Sequence, residues 1–155
     1  MKMDEKKFIE EIFHEFILTI KPVAGAISHV SDWDSEAIEH DFSTWLEQPV
    51  PDDVLIEHAK SLPAFTPKAF VFFLKDYLIY GLRYPDSELA EHLIYRLSAA
   101  NQEGDYWKQR LLLLSARQKE IIAVWCECMI KKLSNEEIFL REKLVQASQF
   151  WYLIV

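Results

Sequence analysis

Thr66 and Pro67 open a run to Leu82 in which Phe70, Val71, Phe72, Phe73, Leu74, Tyr77, Leu78, Ile79 and Tyr80 leave almost no polar side to a helix. Thr is suited to cap the orphan amides of a first turn, and Pro has no amide to waste there. A helix that is apolar nearly all round is normally enclosed by its neighbours, so residues 66–82 predict a central helix with the rest of the chain packed about it. Lys75-Asp76 interrupts the run, and no uninterrupted apolar stretch approaches the roughly 18 residues of a membrane span. The expectation is therefore a protein with no membrane partner.

Two further features narrow the fold. Only three glycines occur, Gly25, Gly81 and Gly104, which disfavours an architecture built from β-hairpins. Half of the residues are apolar, enough for a chain of 155 residues to bury a core without metal or disulfide staples. The reading is an all-α, single-domain bundle over 1–155, of about six to seven helices around 66–82.

Apolar spacing and stop signals place the other helices. Phe8, Ile9, Ile12, Phe13, Phe16 and Ile20 recur at three- and four-residue intervals, predicting a helix over 4–20 that Pro22 stops. Short helices are expected from 34 or 35 to 45 and, opened by Pro51 with Asp52 and Asp53 near its positive end, from 51 to 60. Leu89, Leu93, Ile94 and Leu97 mark another over 87–97, followed by a loop at 101–105. Two capping boxes, Ser115 with Gln118 and Ser134 with Glu137, predict the last two helix starts. The apolar ending Phe150-Trp151-Tyr152-Leu153-Ile154-Val155 is expected to dock, onto the core or across a homodimer axis through the C-terminal helix.

Cys126 and Cys128 lie two apart on a helical stretch, so their side chains diverge by about 200° around the axis and do not pair with each other. That usage fits thiols in a reducing cytoplasm. The apolar residues after Met1 are broken by Glu10, Glu11, His14 and Glu15, unlike a signal-peptide core, which also points to the cytoplasm.

Charge is the most informative functional feature. Between Pro22 and Ala59 there is no Lys or Arg, while nine acids fall there: Asp32, Asp34, Glu36, Glu39, Asp41, Glu47, Asp52, Asp53 and Glu57. The other 16 acids and the 17 basic residues nearly cancel, so this segment accounts for the formal charge of −8. Such a surface steers a basic partner in and repels nucleic acid. The competing structural reading is a solvated face that only keeps the protein soluble. Trp33, between Asp32 and Asp34, fits either an exposed aromatic anchor ringed by polar groups or a side chain that caps the core, whereas Trp45 beside Leu46 reads as core.

Signs of catalysis are thin. The sequence has no Gly-rich phosphate loop, nucleophile elbow or His-Glu-x-x-His, so neither cofactor nor catalytic residue is expected. Glu11 and His14 make one Glu-x-x-His spacing, but a di-iron bundle needs two such motifs, and no metal is expected. Asp76 is the acid to inspect, since an ionised carboxylate inside an apolar helix needs a partner; the plainer expectation is that Lys75 and Asp76 share a solvent-facing stripe.

Trp45, Pro49-Val50-Pro51, His58, Leu62, the block Phe65-Thr66-Pro67-Lys68-Ala69-Phe70 leading to Phe73-Leu74 and Tyr77, and Leu114-Ser115-Ala116-Arg117-Gln118 carry a resemblance. Over about 45–129 the chain resembles a family of small uncharacterised bacterial proteins labelled a domain of unknown function. The resemblance implies a helical fold and no activity. Together these readings favour a non-enzymatic, cytoplasmic protein-binding module, most concretely an immunity- or antitoxin-like protein that neutralises a basic toxin or nuclease through Asp32, Trp33, Asp34, Glu36, Glu39, Asp41, Glu47, Asp52 and Asp53. The alternative is an enzyme or small-ligand-binding domain with a pocket beside the central helix, using Asp76, Tyr77, Tyr80 or a nearby histidine.

Overall fold

In the computed structural model of the chain, which describes residues 4–29, 34–100 and 104–155, the run after Thr66 forms a helix, Pro67–Arg83. Among the described residues seven other α-helices surround or extend from it, which gives α1 (Glu5–Ile17), α2 (Ser35–Ser43), α3 (Asp52–Glu57), α4 (Pro67–Arg83), α5 (Glu88–Ser98), α6 (Gly104–Leu113), α7 (Ala116–Lys132) and α8 (Ile138–Leu153). A 3-10 turn, Leu62–Ala64, leads into α4. The fold is all-α, with one isolated bridge between Ser28 and Phe65 among the described residues.

The all-round apolarity of α4 has the expected cause. It is packed against α1, α3, α5, α6 and α7, so nearly every residue from Ala69 to Leu82 is buried, with Ile79 half-buried. One close contact is with α7. Trp125 donates its indole N–H to the Leu78 carbonyl at 2.8 Å, and a Cβ placed on Gly81 would lie 2.9 Å from the Trp125 ring. That contact explains a glycine inside a helix, where it otherwise costs about 1 kcal/mol relative to alanine. On the far side α8 packs on α7 and α5, and its Trp151 donates to the Leu97 carbonyl at 3.1 Å.

Several sequence expectations are corrected. α1 stops at Ile17, leaving Leu18 and Ile20 exposed instead of continuing the buried face. α6 was not foreseen: of its residues only Trp107 and Arg110 are buried, while Leu112 faces out, so its apolar spacing is too irregular to read as one face. Thr66 occupies the cap position of α4, but its hydroxyl donates to the carbonyls of Ala26 at 2.7 Å and Ile27 at 3.3 Å, tying an upstream loop to the helix start. The Ser115–Gln118 box forms in both directions. The Ser134–Glu137 box does not: Ser134 accepts from the Glu136 amide in a turn, and α8 begins only at Ile138.

Candidate functional site

Two regions gather the charged groups that the sequence singles out, one on α4 and one on α2 and α3.

On α4, Lys75 and Asp76 are both buried, with about 5% of each side chain exposed, so the solvent-facing stripe expected for them is overturned. The cause is the number of helices around α4, which leaves this stretch almost no contact with solvent. The Lys75 ammonium donates to the Phe72 carbonyl at 2.7 Å and lies 3.7 Å from the centre of the Phe72 ring. Asp76 accepts the Val50 amide on Oδ1 at 3.0 Å, and its Oδ2 stands 3.5 Å from the Lys75 ammonium. Burial pushes the Asp76 carboxyl up and the Lys75 amine down, and each partner's charge opposes the other's shift.

Asp76 also lines a cleft of about 270 Å3 between α1, the 49–55 segment and α4. Ile9, Phe13, Leu55 and Ile79 form its apolar walls. Glu10, His14, Asp52, Tyr80 and Arg83 supply the polar groups, and all but Tyr80 are at exposed positions. The spacing Asp76, Ile79, Tyr80, Arg83 puts these four residues on one face of α4. Tyr77, the other expected pocket residue, is buried elsewhere and donates its hydroxyl to the His58 carbonyl at 2.8 Å.

On α2 and α3 the acidic segment divides. Asp32 and Trp33 lie outside the described residues. Glu36, Glu47, Asp52, Asp53 and Glu57 are exposed. Glu39 is turned back on the preceding loop: one oxygen accepts the amides of Ile27 at 2.5 Å and Ser28 at 2.9 Å, and the other accepts that of Gly25 at 3.0 Å. Gly25 holds a φ of +92°, which a residue with a Cβ rarely adopts, and this bend aims the amides at one carboxylate. Trp45 is half-buried against the core, as expected.

Asp41 is likewise used internally. It accepts from the His58 ring at 2.7 Å and the His40 ring at 3.1 Å, and these hydrogen bonds, His58 first, hold its carboxyl below the ordinary value of 3.8. The His58 ring is buried edge-on to Phe42, and its other nitrogen lies 3.2 Å from the Ser61 hydroxyl, itself 3.5 Å from Asp34. With Asp41 ionised, a neutral ring donates Nε2–H to it and leaves Nδ1 as an acceptor facing the Ser61 hydroxyl, whose one proton has Asp34 as its other acceptor.

A serine, histidine and aspartate in that order resemble the parts of a nucleophile relay. The neighbouring backbone argues for a structural role instead. The amides of Ser61, Ala64 and Phe65 donate into turns and Pro63 has none, so this corner is poor in donors for an oxyanion. Asp41, Glu57 and His58 also place one possible ligand atom each within 4.8 Å of one another, the one such metal-holding group among the described residues. Any ion there would displace the Asp41–His58 hydrogen bond.

Other sequence candidates are dispersed. Glu11 pairs with Arg117 of α7, while His14 sits at the mouth of the cleft, so the Glu-x-x-His spacing serves two different surroundings. At the C-terminal end Trp151 is buried, whereas Tyr152, Leu153 and Val155 are exposed. Sequence reasoning missed His58 as the link between α2 and α3, because its partner is 17 residues away and no local spacing signals the pair.

Residues 25–154 match the model of a family of unknown function (DUF6714), and the chain belongs to that family. The match takes in the whole of the resemblance noted over 45–129 and most of the acidic segment. No curated protein and no solved structure matches the chain.

Proposed function

We propose that this member of the family is a protein-binding module of the bacterial cytoplasm, an immunity- or antitoxin-like protein that captures a basic toxin or nuclease. The observation that carries the reading is the set of exposed carboxylates, Glu36, Glu47, Asp52, Asp53 and Glu57, on a segment with no lysine or arginine from Pro22 to Ala59. The cations flanking that segment are already engaged: Lys21 meets Glu47 at 2.5 Å and Lys60 meets Glu88 at 3.0 Å. A field of one sign raises the encounter rate with a basic surface and disfavours anionic partners such as nucleic acid.

A largely apolar groove, with Lys21 and Lys68 also in its lining, lies across the 21–26 loop from Glu36 and supports a protein partner. Val23 and Leu112, 69% and 78% exposed, line a groove of about 530 Å3 between the 21–26 loop, the start of α4 and the end of α6. The same loop borders Glu36 and Glu39 on its other side, so carboxylates and apolar side chains are neighbours there. Interfaces combine apolar anchors with a polar rim in this way. The test is capture of partners from native cell lysate at low salt, elution by raising salt, and mass spectrometry of the eluate. One basic protein released by salt is the expected result, and no partner at any salt would reject the reading.

A second reading, a small-ligand-binding domain or enzyme, rests on the cleft beside α4 with the buried Asp76 carboxylate in its lining. A crystallographic or NMR fragment screen tests it, and an empty cleft throughout would dismiss it.

A further inference from the structure

We propose that the cleft between α1, the 49–55 segment and α4 binds a small organic ammonium ion with an apolar body, its head on the Asp76 carboxylate. The inference rests on the second functional reading and adds the chemical class of the ligand. Three features argue for it.

Asp76 keeps acceptor capacity although it is buried. Its Oδ1 is occupied by the Val50 amide, but Oδ2 has Lys75 only at 3.5 Å, well beyond the roughly 2.7–2.9 Å of a charge-assisted hydrogen bond. Lys75 is held off by its short bond to the Phe72 carbonyl and by the ring beneath it. A donor entering from the cleft would complete the carboxylate.

The charges around the cleft favour a cation. Glu10, Asp52 and Asp76 are set against Arg83, the Lys75 that partners Asp76 and the weaker base His14, which leaves the acids in slight excess. A carboxylate ligand would meet that excess directly.

Size and lining set the rest of the ligand. At about 270 Å3 the cleft holds roughly nine water-sized groups, at about 30 Å3 each, and its walls are Ile9, Phe13, Leu55 and Ile79. That suits one aromatic ring or a short alkyl chain joined to one ammonium group.

The experiment is an NMR titration of the labelled full chain with three probes of matched body: 2-phenylethylamine, 3-phenylpropionate and 3-phenylpropan-1-ol. The amine is expected to shift the resonances of Ile9, Ile79 and the Val50 amide and to bind about tenfold more tightly than either of the others, the worth of one charged hydrogen bond. Asp76→Asn keeps an acceptor for Val50 and is expected to erase that preference. Should that variant fail to fold, Ile79→Trp fills the cleft from its rim, leaves Asp76 intact, and is expected to abolish amine binding. Equal or tighter binding of the acid or alcohol in the cleft overturns the ammonium assignment and leaves the pocket standing. Absence of cleft shifts with all three probes overturns both, as does amine binding that Ile79→Trp leaves unchanged.

Discussion

On α4 a lysine and an aspartate stand side by side and both are buried; along residues 34–57 most of the carboxylates face water, with no lysine or arginine among them. In the first region each charge is held by a few fixed contacts inside the core. In the second, some acids are absorbed by the fold and the others remain available. Glu39 and Asp41 belong with Asp76, since backbone amides or imidazoles complete them. The lesson is that formal charge along a sequence overstates the charge a partner meets. What a partner meets here is chiefly Glu36, Asp52, Asp53 and Glu57, because the charge of Glu47 is offset by Lys21.

The comparison breaks most visibly at the buried pair. Lys75→Met leaves Asp76 without its countercharge and is expected to reduce unfolding stability by about 3 kcal/mol in urea denaturation, the order seen when one member of a buried pair is removed. Lys75→Met with Asp76→Asn keeps the Val50 acceptor and is expected to recover most of that loss. A double variant no better than the single one would mean that the pair is not the reason the charges are tolerated.

Glu39→Ala is the matching test in the acidic segment. It strands the amides of Gly25, Ile27 and Ser28 and is expected to lose about 1–3 kcal/mol. Glu36→Ala, one turn earlier on the same helix, is expected to change stability by less than about 0.5 kcal/mol. Equal effects would erase the division into inward and outward acids. Gly81→Ala probes α4 without touching charge: the methyl meets the Trp125 ring, and about 1–2 kcal/mol should be lost despite the better helix propensity of alanine.

The smallest effect is one of pH. Because hydrogen bonds lower the Asp41 carboxyl in the folded state, the unfolded chain takes up that proton first as the solution is acidified. Its contribution is complete above 3.8 and is lost as pH falls below that value, through the lowered folded pKa. In Asp41→Asn this part of the acid limb of the stability curve should flatten; an unchanged limb would mean that Asp41 is not held by His58.

Much of the fold was legible because its signals are local. The run after Thr66-Pro67 and the spacing of Phe8, Ile12 and Phe16 mark buried faces by themselves, and the Ser115–Gln118 box closes within one turn. α6 was missed because the burial of Trp107 and Arg110 is set by distant partners: Arg110 reaches the Phe65 carbonyl, 45 residues away. The Ser134–Glu137 box failed for a related reason. Ser134 satisfies a turn amide, and Arg141 reaches back to the carbonyls of Ile130 and Leu133, so the chain turns before the helix starts.

The site was legible only as composition. The acidic bias of 22–59 is plain in the sequence, but which carboxylate turns inward depends on a loop bent at Gly25 and on a histidine at the end of the next helix. Asp76 stood out as an acid in an apolar helix, yet its burial follows from how many helices pack on α4, which no window of sequence reports.

The central claim is that the outward acids, and not the inward ones, recruit a basic protein. The most direct test is the association rate of the captured partner as a function of ionic strength, for the wild type and for a variant with Glu36, Glu47, Asp53 and Glu57 changed to their amides. The account predicts a rate that falls steeply with salt, and a variant that associates about tenfold or more slowly at low salt with an unchanged melting temperature. A rate indifferent to salt, or a variant that associates as fast as the wild type, would contradict it.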